Sequence, residues 1–209
     1  MSEALDLLID LLDLETIEVN VYRGKHLEGE RQRTFGGQVA GQALMAAGRT
    51  VDQGRVHSLH SYFLRPGDPR VPILYEVDRI RDGRSFTTRR VVAIQHGRAI
   101  YNMQASFHIE EVSLEHQVAM PVVPGPETVA PLFERVKAEW GDADEWSKRD
   151  HPIDQRFLGE LPWSPHRDRE PRAQIWIKAD GQLPKDPLLH ACVVTYASDM
   201  SLLDSVLAP

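Results

Sequence analysis

One cysteine in 209 residues, Cys192, has no partner for an internal disulfide, and nowhere do about 18 apolar residues run together. Those two deficits exclude a disulfide-stapled scaffold and a membrane-crossing helix. The first thirty residues also lack a basic n-region followed by a continuous apolar stretch, so a cytoplasmic location is expected. Positive charge is in short supply: 24 Lys and Arg stand against 31 Asp and Glu, for a net −7. Nucleic acid is therefore not an expected partner, although a local basic patch could hold a small anion. No Gly-x-x-x-x-Gly-Lys-Ser/Thr loop is present, and Gly36-Gly37-x-x-x-Gly41 does not match the dinucleotide fingerprint. Gly83-Arg84-Ser85-Phe86-Thr87 lacks the second glycine of a nucleophile elbow, which leaves Ser85 as a hairpin residue. What is present, 42% hydrophobic and 26% charged residues, is the balance of an ordinary globular protein and excludes disorder.

Leu5, Leu8, Ile9 and Leu12 fall at i, i+3, i+4 and i+7, predicting an amphipathic helix over 3–14. Ile17, Val19 and Val21 then alternate with polar residues, as a first strand would. Gly36 and Gly37 open a helix over about 38–51 that is almost free of bulky polar groups; its small residues predict an enclosed helix closely approached by a sheet. Four strands follow, over Val56–Leu64, Ile73–Arg81, Ser85–Gln95 and Ala99–Ile109. They are separated by Arg65-Pro66-Gly67-Asp68-Pro69, Asp82-Gly83 and His96-Gly97. Turns this short cannot make parallel crossovers, so the sheet is antiparallel and the enclosed helix lies on its concave face. That is an α+β architecture, the hotdog fold, over residues 1–112.

Residues 113–172 carry eight of the fourteen prolines and three of the four tryptophans, and read as an elaborated connector. Within it a helix is expected around Val129–Trp140, and Ile153–Leu158 could begin a strand. Gln174–Gly181 then reads as a strand and turn. Asp186-Pro187 supplies an N-cap and a proline at the first helical position of a second apolar helix, over 187 to about 206. Strand, turn and enclosed helix repeat the opening of the first unit, so 173–209 is expected to start a second one. Thirty-seven residues follow position 172, whereas a helix with a five-stranded sheet needs roughly 90 to 110. The expectation is a chain that stops within its second unit.

Chemistry-bearing residues each admit two readings. His57 and His60 resemble a metal pair, but an odd spacing on a strand sends them to opposite faces, and no metal is expected. Cys192 lies among apolar residues and reads as an inert core thiol rather than a nucleophile. Gly36 and Gly37 either make the turn into the helix or present backbone N–H groups to a carbonyl or phosphate oxygen at its positive end. Arginines 79, 81, 84, 89 and 90 cluster on one hairpin, as a solvated sheet face or as a site for an anion. Asp199 is flanked at helical spacing by Cys192, Thr195, Tyr196, Leu202, Leu203 and Val206. A carboxylate there is either a desolvated general base or, with Ser198, the cap of a helical segment beginning at Met200.

Phe35-Gly36-Gly37-Gln38-Val39-Ala40-Gly41-Gln42-Ala43-Leu44 closely resembles the bacterial acyl-CoA thioesterase II family. So do His57-Ser58-Leu59-His60-Ser61-Tyr62-Phe63-Leu64-Arg65-Pro66-Gly67-Asp68, Arg81-Asp82-Gly83-Arg84-Ser85-Phe86 and Tyr196-Ala197-Ser198-Asp199. The resemblance runs from residue 2 to 209. It implies a double hotdog that hydrolyses fatty acyl-CoA to free fatty acid and coenzyme A without a cofactor, and a homo-oligomeric assembly. It places a catalytic aspartate at Asp199, joined in the family by a threonine and a glutamine from strands beyond residue 209. A water polarised by Asp199 would attack the thioester, with the Gly37 N–H a candidate substrate-binding donor to the oxyanion. An enoyl-CoA hydratase on the same fold and a non-catalytic acyl-CoA binder are the alternatives.

Overall fold

The computed structural model describes residues 2–26, 32–141, 151–161, 163–164 and 173–205. In chain order its elements are α1 (Glu3–Leu12), β1 (Glu15–Glu18), β2 (Val21–Gly24), α2 (Gly36–Gly48), β3 (Arg55–Phe63), β4 (Ile73–Asp82), β5 (Phe86–Gln95) and β6 (Arg98–His108). After these come α3 (Leu132–Trp140), β7 (Ile153–Leu158), β8 (Gln174–Ala179) and α4 (Pro187–Ser198). The chain divides into two compact units, one of Leu8–Val112 with Leu183–Asp199, the other of Met1–Leu7, Ser113–Gln182 and Met200–Pro209. No helix among the described residues is long and apolar enough to cross a membrane.

In the first of these units six antiparallel strands lie in the order β1-β2-β4-β5-β6-β3. Side-chain alternation gives the sheet two faces: Ile73, Tyr75 and Val77 on β4, Val91 and Ala93 on β5, and Tyr101, Met103, Ala105 and Phe107 on β6 are buried. Against that sheet lies α2, buried from Gly37 to Ala47. This is the hotdog arrangement. Register places Tyr22, Tyr75, Ala93, Tyr101 and Phe63 side by side across five strands. The β5–β6 turn has His96 and Gly97 at φ 50° and 69°, the left-handed pair of a tight hairpin turn.

Two buried polar side chains, Gln42 and Arg89, fix α2 in place. Gln42 donates through Nε2 to the Leu11 carbonyl (2.7 Å) and the Lys25 carbonyl (3.0 Å), and accepts from the Tyr75 hydroxyl (2.8 Å). Arg89, 1% exposed, donates to Thr50 Oγ1 (2.7 Å) and the carbonyls of Thr50, Arg81 and Thr88 (2.9 to 3.0 Å), and pairs with Asp82. It sits beside the irregularity in β4 between Asp78 and Arg81 and ties it to the end of α2. Of the arginine cluster, then, Arg89 is neither solvated nor free for an anion; Arg79 and Arg90 remain exposed, bound to Asn20 and Asp78.

Three features differ from the sequence reading. The single strand expected over Ile17–Val21 is a hairpin, β1 and β2, turned at Val19 and Asn20. Asn20 takes φ 61°, which asparagine tolerates, and Val19 stays 71% exposed. The second apolar helix ends at Ser198 rather than near 206; Leu202–Ser205 form a separate 3₁₀ turn. Finally, α2 has a second close neighbour besides the sheet: three of its glycines face α4. A Cβ at Gly37 would lie 2.3 Å from the Tyr196 carbonyl oxygen, one at Gly41 3.2 Å from that of Cys192, and one at Gly48 2.3 Å from Leu188. Gly37, Gly41 and Gly48 form one stripe on α2, Leu188, Cys192 and Tyr196 the matching stripe on α4, and the two helices run antiparallel. Asp186 starts α4 as read, accepting from the Leu188 and Leu189 N–H groups (2.9 and 3.3 Å) ahead of Pro187.

In the other unit β7 and β8 pair antiparallel, and Leu132 and Val136 of α3 pack with Phe157, Leu161 and Ile175. The proline-rich segment is fastened to it by Arg156, which donates to the Pro126 and Val129 carbonyls (2.7 and 3.1 Å), and by the Trp176 indole on the Pro124 carbonyl (3.0 Å).

Removing the Arg89 side chain leaves several carbonyls and Asp82 without their donor. Arg89→Met is expected to cost about 3 kcal/mol, read as a lower denaturant midpoint at unchanged m-value. A loss under about 1 kcal/mol would show that the β4 irregularity holds without it.

Candidate active site

Where α2 begins, its own sequence provides no capping side chain: the N-cap position is Phe35, which makes no side-chain cap hydrogen bond. The acceptor comes from α4. Antiparallel packing sets the end of α4 beside the start of α2, and Asp199, the C-cap of α4, accepts the Gly37 N–H at Oδ2 (2.9 Å). A carboxylate at the positive end of a helix is favoured by the aligned peptide dipoles. Ser198 turns back to the Thr195 carbonyl (2.8 Å).

Gly36 and Gly37 are what allow this approach. A Cβ at Gly36 would lie 2.6 Å from Asp199 Oδ2 and 2.9 Å from the Phe63 ring; at Gly37 it would meet the Tyr196 backbone and the Phe35 ring, at 2.3 and 2.5 Å. Phe35 stacks edge-on against Tyr196 (centroids 5.0 Å apart, 72° between planes), and Phe63 leans on Tyr101 (5.0 Å, 50°). The carboxylate is thus flanked by aromatic rings from β3, β6, α4 and the entry to α2.

Its electrostatics oppose one another. Partial desolvation raises the Asp199 carboxyl above the usual aspartate range, while the Gly37 N–H and the Arg33 charge pull it back. Asp199 is exposed in this chain, less enclosed than its apolar neighbours in sequence suggest.

The remaining sequence candidates fall elsewhere. The Gly37 N–H is not free to meet a substrate oxygen, because it is bound to Asp199. Cys192 is fully buried, and burial pushes its thiol far up. His57 bonds Ser106 Oγ (2.8 Å) near Phe86 and His108, whereas His60 packs on Tyr62 (4.8 Å). A cavity of about 880 Å³ lies at the opposite end of the helix pair, lined in part by Gly48, Phe107, Lys185, Leu188 and His190, and does not include Asp199. Phe63, Tyr101 and Arg33 were not singled out in the sequence. Inward alternation on β6 could have flagged Tyr101, but nothing local marked Arg33.

The comparisons with known proteins agree with this architecture. Residues 28–108 match the family model for the acyl-CoA thioesterase N-terminal domain, and 146–209 that for acyl-CoA thioesterase. Acyl-coenzyme A thioesterase 8 of Rattus norvegicus is 39% identical over 97% of this chain and 68% of its own length. Acyl-CoA thioesterase 2 of Haemophilus influenzae is 34% identical over all of this chain and 75% of its own. The crystal structure of acyl-CoA thioesterase II TesB2 from Mycobacterium marinum aligns with a TM-score of 0.73 at 42% identity, covering 96% of this chain and 69% of that one. The fold is that of a hotdog thioesterase. The chain belongs to the acyl-CoA thioesterase II family.

The glycine pair makes a direct test of how the carboxylate is held. Gly37→Ala sets a methyl group against backbone that cannot move aside cheaply, and is expected to destabilise the protein by about 2 kcal/mol or more in thermal or denaturant unfolding. In Gly36→Ala the nearest atom is the mobile Asp199 carboxylate, so a smaller loss of stability is expected, with Asp199 displaced in a crystal structure. Equal, negligible effects of both would mean the helices are not held at this distance.

Proposed function

We propose that this chain carries the general base of an acyl-CoA thioesterase, with Asp199 activating the water that hydrolyses a fatty acyl-CoA. As a family member it is a thioester hydrolase. The observation that supports Asp199 most is its place: a carboxylate with its ordinary pKa raised, aimed at a helix N-terminus and bordered by Phe63, Phe35 and Tyr196.

In this reading the water oxygen bonds to the thioester carbonyl carbon as its proton passes to Asp199. The tetrahedral intermediate then collapses with cleavage of the C–S bond, and the proton leaves on the coenzyme A sulfur, which restores the carboxylate. No covalent enzyme intermediate and no cofactor are required. Gly37 acts here by orienting Asp199 through its N–H. It can serve as a substrate-binding donor only in a state where that bond has been given up.

The same reading makes 1–112 the first hotdog unit, 113–172 a connector and 173–209 the beginning of a second unit; the two family models match 28–108 and 146–209, the second beginning within the connector. It carries with it a cytoplasmic enzyme, consistent with the single unpaired cysteine, and a homo-oligomer.

The test is thiol release from a series of acyl-CoAs. Asp199→Asn keeps an acceptor for the Gly37 N–H, so folding should be nearly intact while turnover falls by about 10²-fold or more. Turnover equal to wild type would remove Asp199 from the chemistry. Because the carboxyl is raised and must be ionised to take a proton, kcat/KM should fall with decreasing pH through a midpoint above that of an ordinary aspartate. The sign for stability is the reverse: a raised folded-state pKa favours the protonated form, so this group's contribution is present at low pH and lost as pH rises through that value. An acid limb at or below the ordinary aspartate range would contradict the assignment. Loss of enoyl absorbance without thiol release would instead indicate a hydratase, and saturable binding without either a non-catalytic binder.

A further inference from the structure

The Gly37 N–H is taken up by Asp199, which leaves the developing oxyanion of the proposed hydrolysis without the donor that the helix start would have supplied. Behind the Phe63 ring lies another. Tyr101 on β6 is fully buried, and its hydroxyl, enclosed by protein, makes no hydrogen bond of normal geometry; Ser61 is the polar side chain beside it. A buried hydroxyl without a partner costs about 1–3 kcal/mol and is retained against that cost. In this sheet the other buried polar side chains facing α2 are tied into networks: Tyr75 donates to Gln42, and Arg89 holds Thr50 and three carbonyls.

Its position is within the site. Tyr101 stands opposite Phe63 in register and packs against it at 5.0 Å; the Phe63 ring in turn borders the space above Gly36 that Asp199 Oδ2 also borders. The Asp199 charge is close enough to act on the phenol. Desolvation, with a smaller push from that charge, moves Tyr101 up to about 12, so across the neutral range it stays protonated and can only be a neutral donor or an acceptor, never a base. The Phe63 ring lies against the phenol ring and borders the same space as the Asp199 carboxylate. It lies on edge strand β3 and is 55% exposed, free to swing aside as an acyl chain arrives.

We propose that the Tyr101 hydroxyl is the hydrogen-bond donor to the thioester carbonyl oxygen, reached when Phe63 rotates away, so that Tyr101 stabilises the oxyanion while Asp199 handles the water. This rests on the thioesterase reading given above. A buried donor held in no network, with the Ser61 hydroxyl beside it, can turn to a developing oxyanion at little cost in the transition state.

Tyr101→Phe keeps the ring and removes only the hydroxyl. It is expected to leave the thermal midpoint unchanged or raised, because a buried unsatisfied group is lost, and to lower kcat by about 10²-fold with KM nearly unchanged. A second readout reports the hydrogen bond itself. With a ¹³C-carbonyl acyl-CoA analogue whose thioester sulfur is replaced by methylene, the infrared carbonyl band of the bound ligand should lie at lower frequency in wild type than in Tyr101→Phe. Full kcat in Tyr101→Phe, or a carbonyl band at the same frequency in both proteins, overturns the proposal; a fall in kcat without the band shift would make Tyr101 a packing residue. The two readings fail separately. Wild-type turnover in Asp199→Asn would remove the base while leaving the Tyr101-dependent band, and loss of that band alone would leave the base in place.

Discussion

The spacing between two antiparallel helices governs this site. Gly37, Gly41 and Gly48 strip one face of α2 to its backbone, and Leu188, Cys192 and Tyr196 of α4 settle onto it. Only at that distance does the C-cap residue of α4 reach the Gly37 N–H in the first turn of α2. The Gly37–Asp199 hydrogen bond is thus a packing result before it is a chemical one, and a single methyl group on the stripe would disturb both.

That contact has meaning only if α2 is itself immobile, which is the task of the buried polar side chains. Gln42 binds its middle to the end of α1, to β2 and to Tyr75, while Arg89 joins its C-terminal turn to two strands. Each polar atom in these networks finds a geometrically sound partner, as a low-dielectric interior requires. Against this thorough satisfaction, the Tyr101 hydroxyl and the half-desolvated carboxylate of Asp199 stand apart. Local exceptions to otherwise consistent packing are where function is to be sought.

Much of the fold was legible. Strands β3 to β6 fall within a residue or two of their expected bounds, because period-2 alternation ended by Pro-Gly, Asp-Gly and His-Gly turns is a local signal that burial then enforces. Asp186 and Pro187 announced α4 for the same reason. Errors arose where spacing mimicked structure: Ile17 and Val19 alternate as a strand would, yet Asn20 turns the chain, and Leu202 and Leu203 continue a helical period that the backbone abandons at Ser198. At the site, Asp199 was legible as an isolated carboxylate among apolar residues. Its partner was not: the glycines of α2 advertise a close neighbour without saying which, since the mating of two stripes is a tertiary fact. Nor does a sequence reveal that one inward-facing tyrosine ends without an acceptor.

The bond between Gly37 and Asp199 spans 162 positions of chain. On a ribosome, α2 and the sheet over it are synthesised long before residue 199 emerges, and during that interval the first turn of α2 has no protein acceptor for its N–H. The sheet and α2 can therefore form ahead of this contact, which closes only when α4 docks. In the thioesterase reading proposed above, a nascent chain in that state would have its sheet without the proposed base, which ties that base to the docking of α4 rather than to the formation of the sheet.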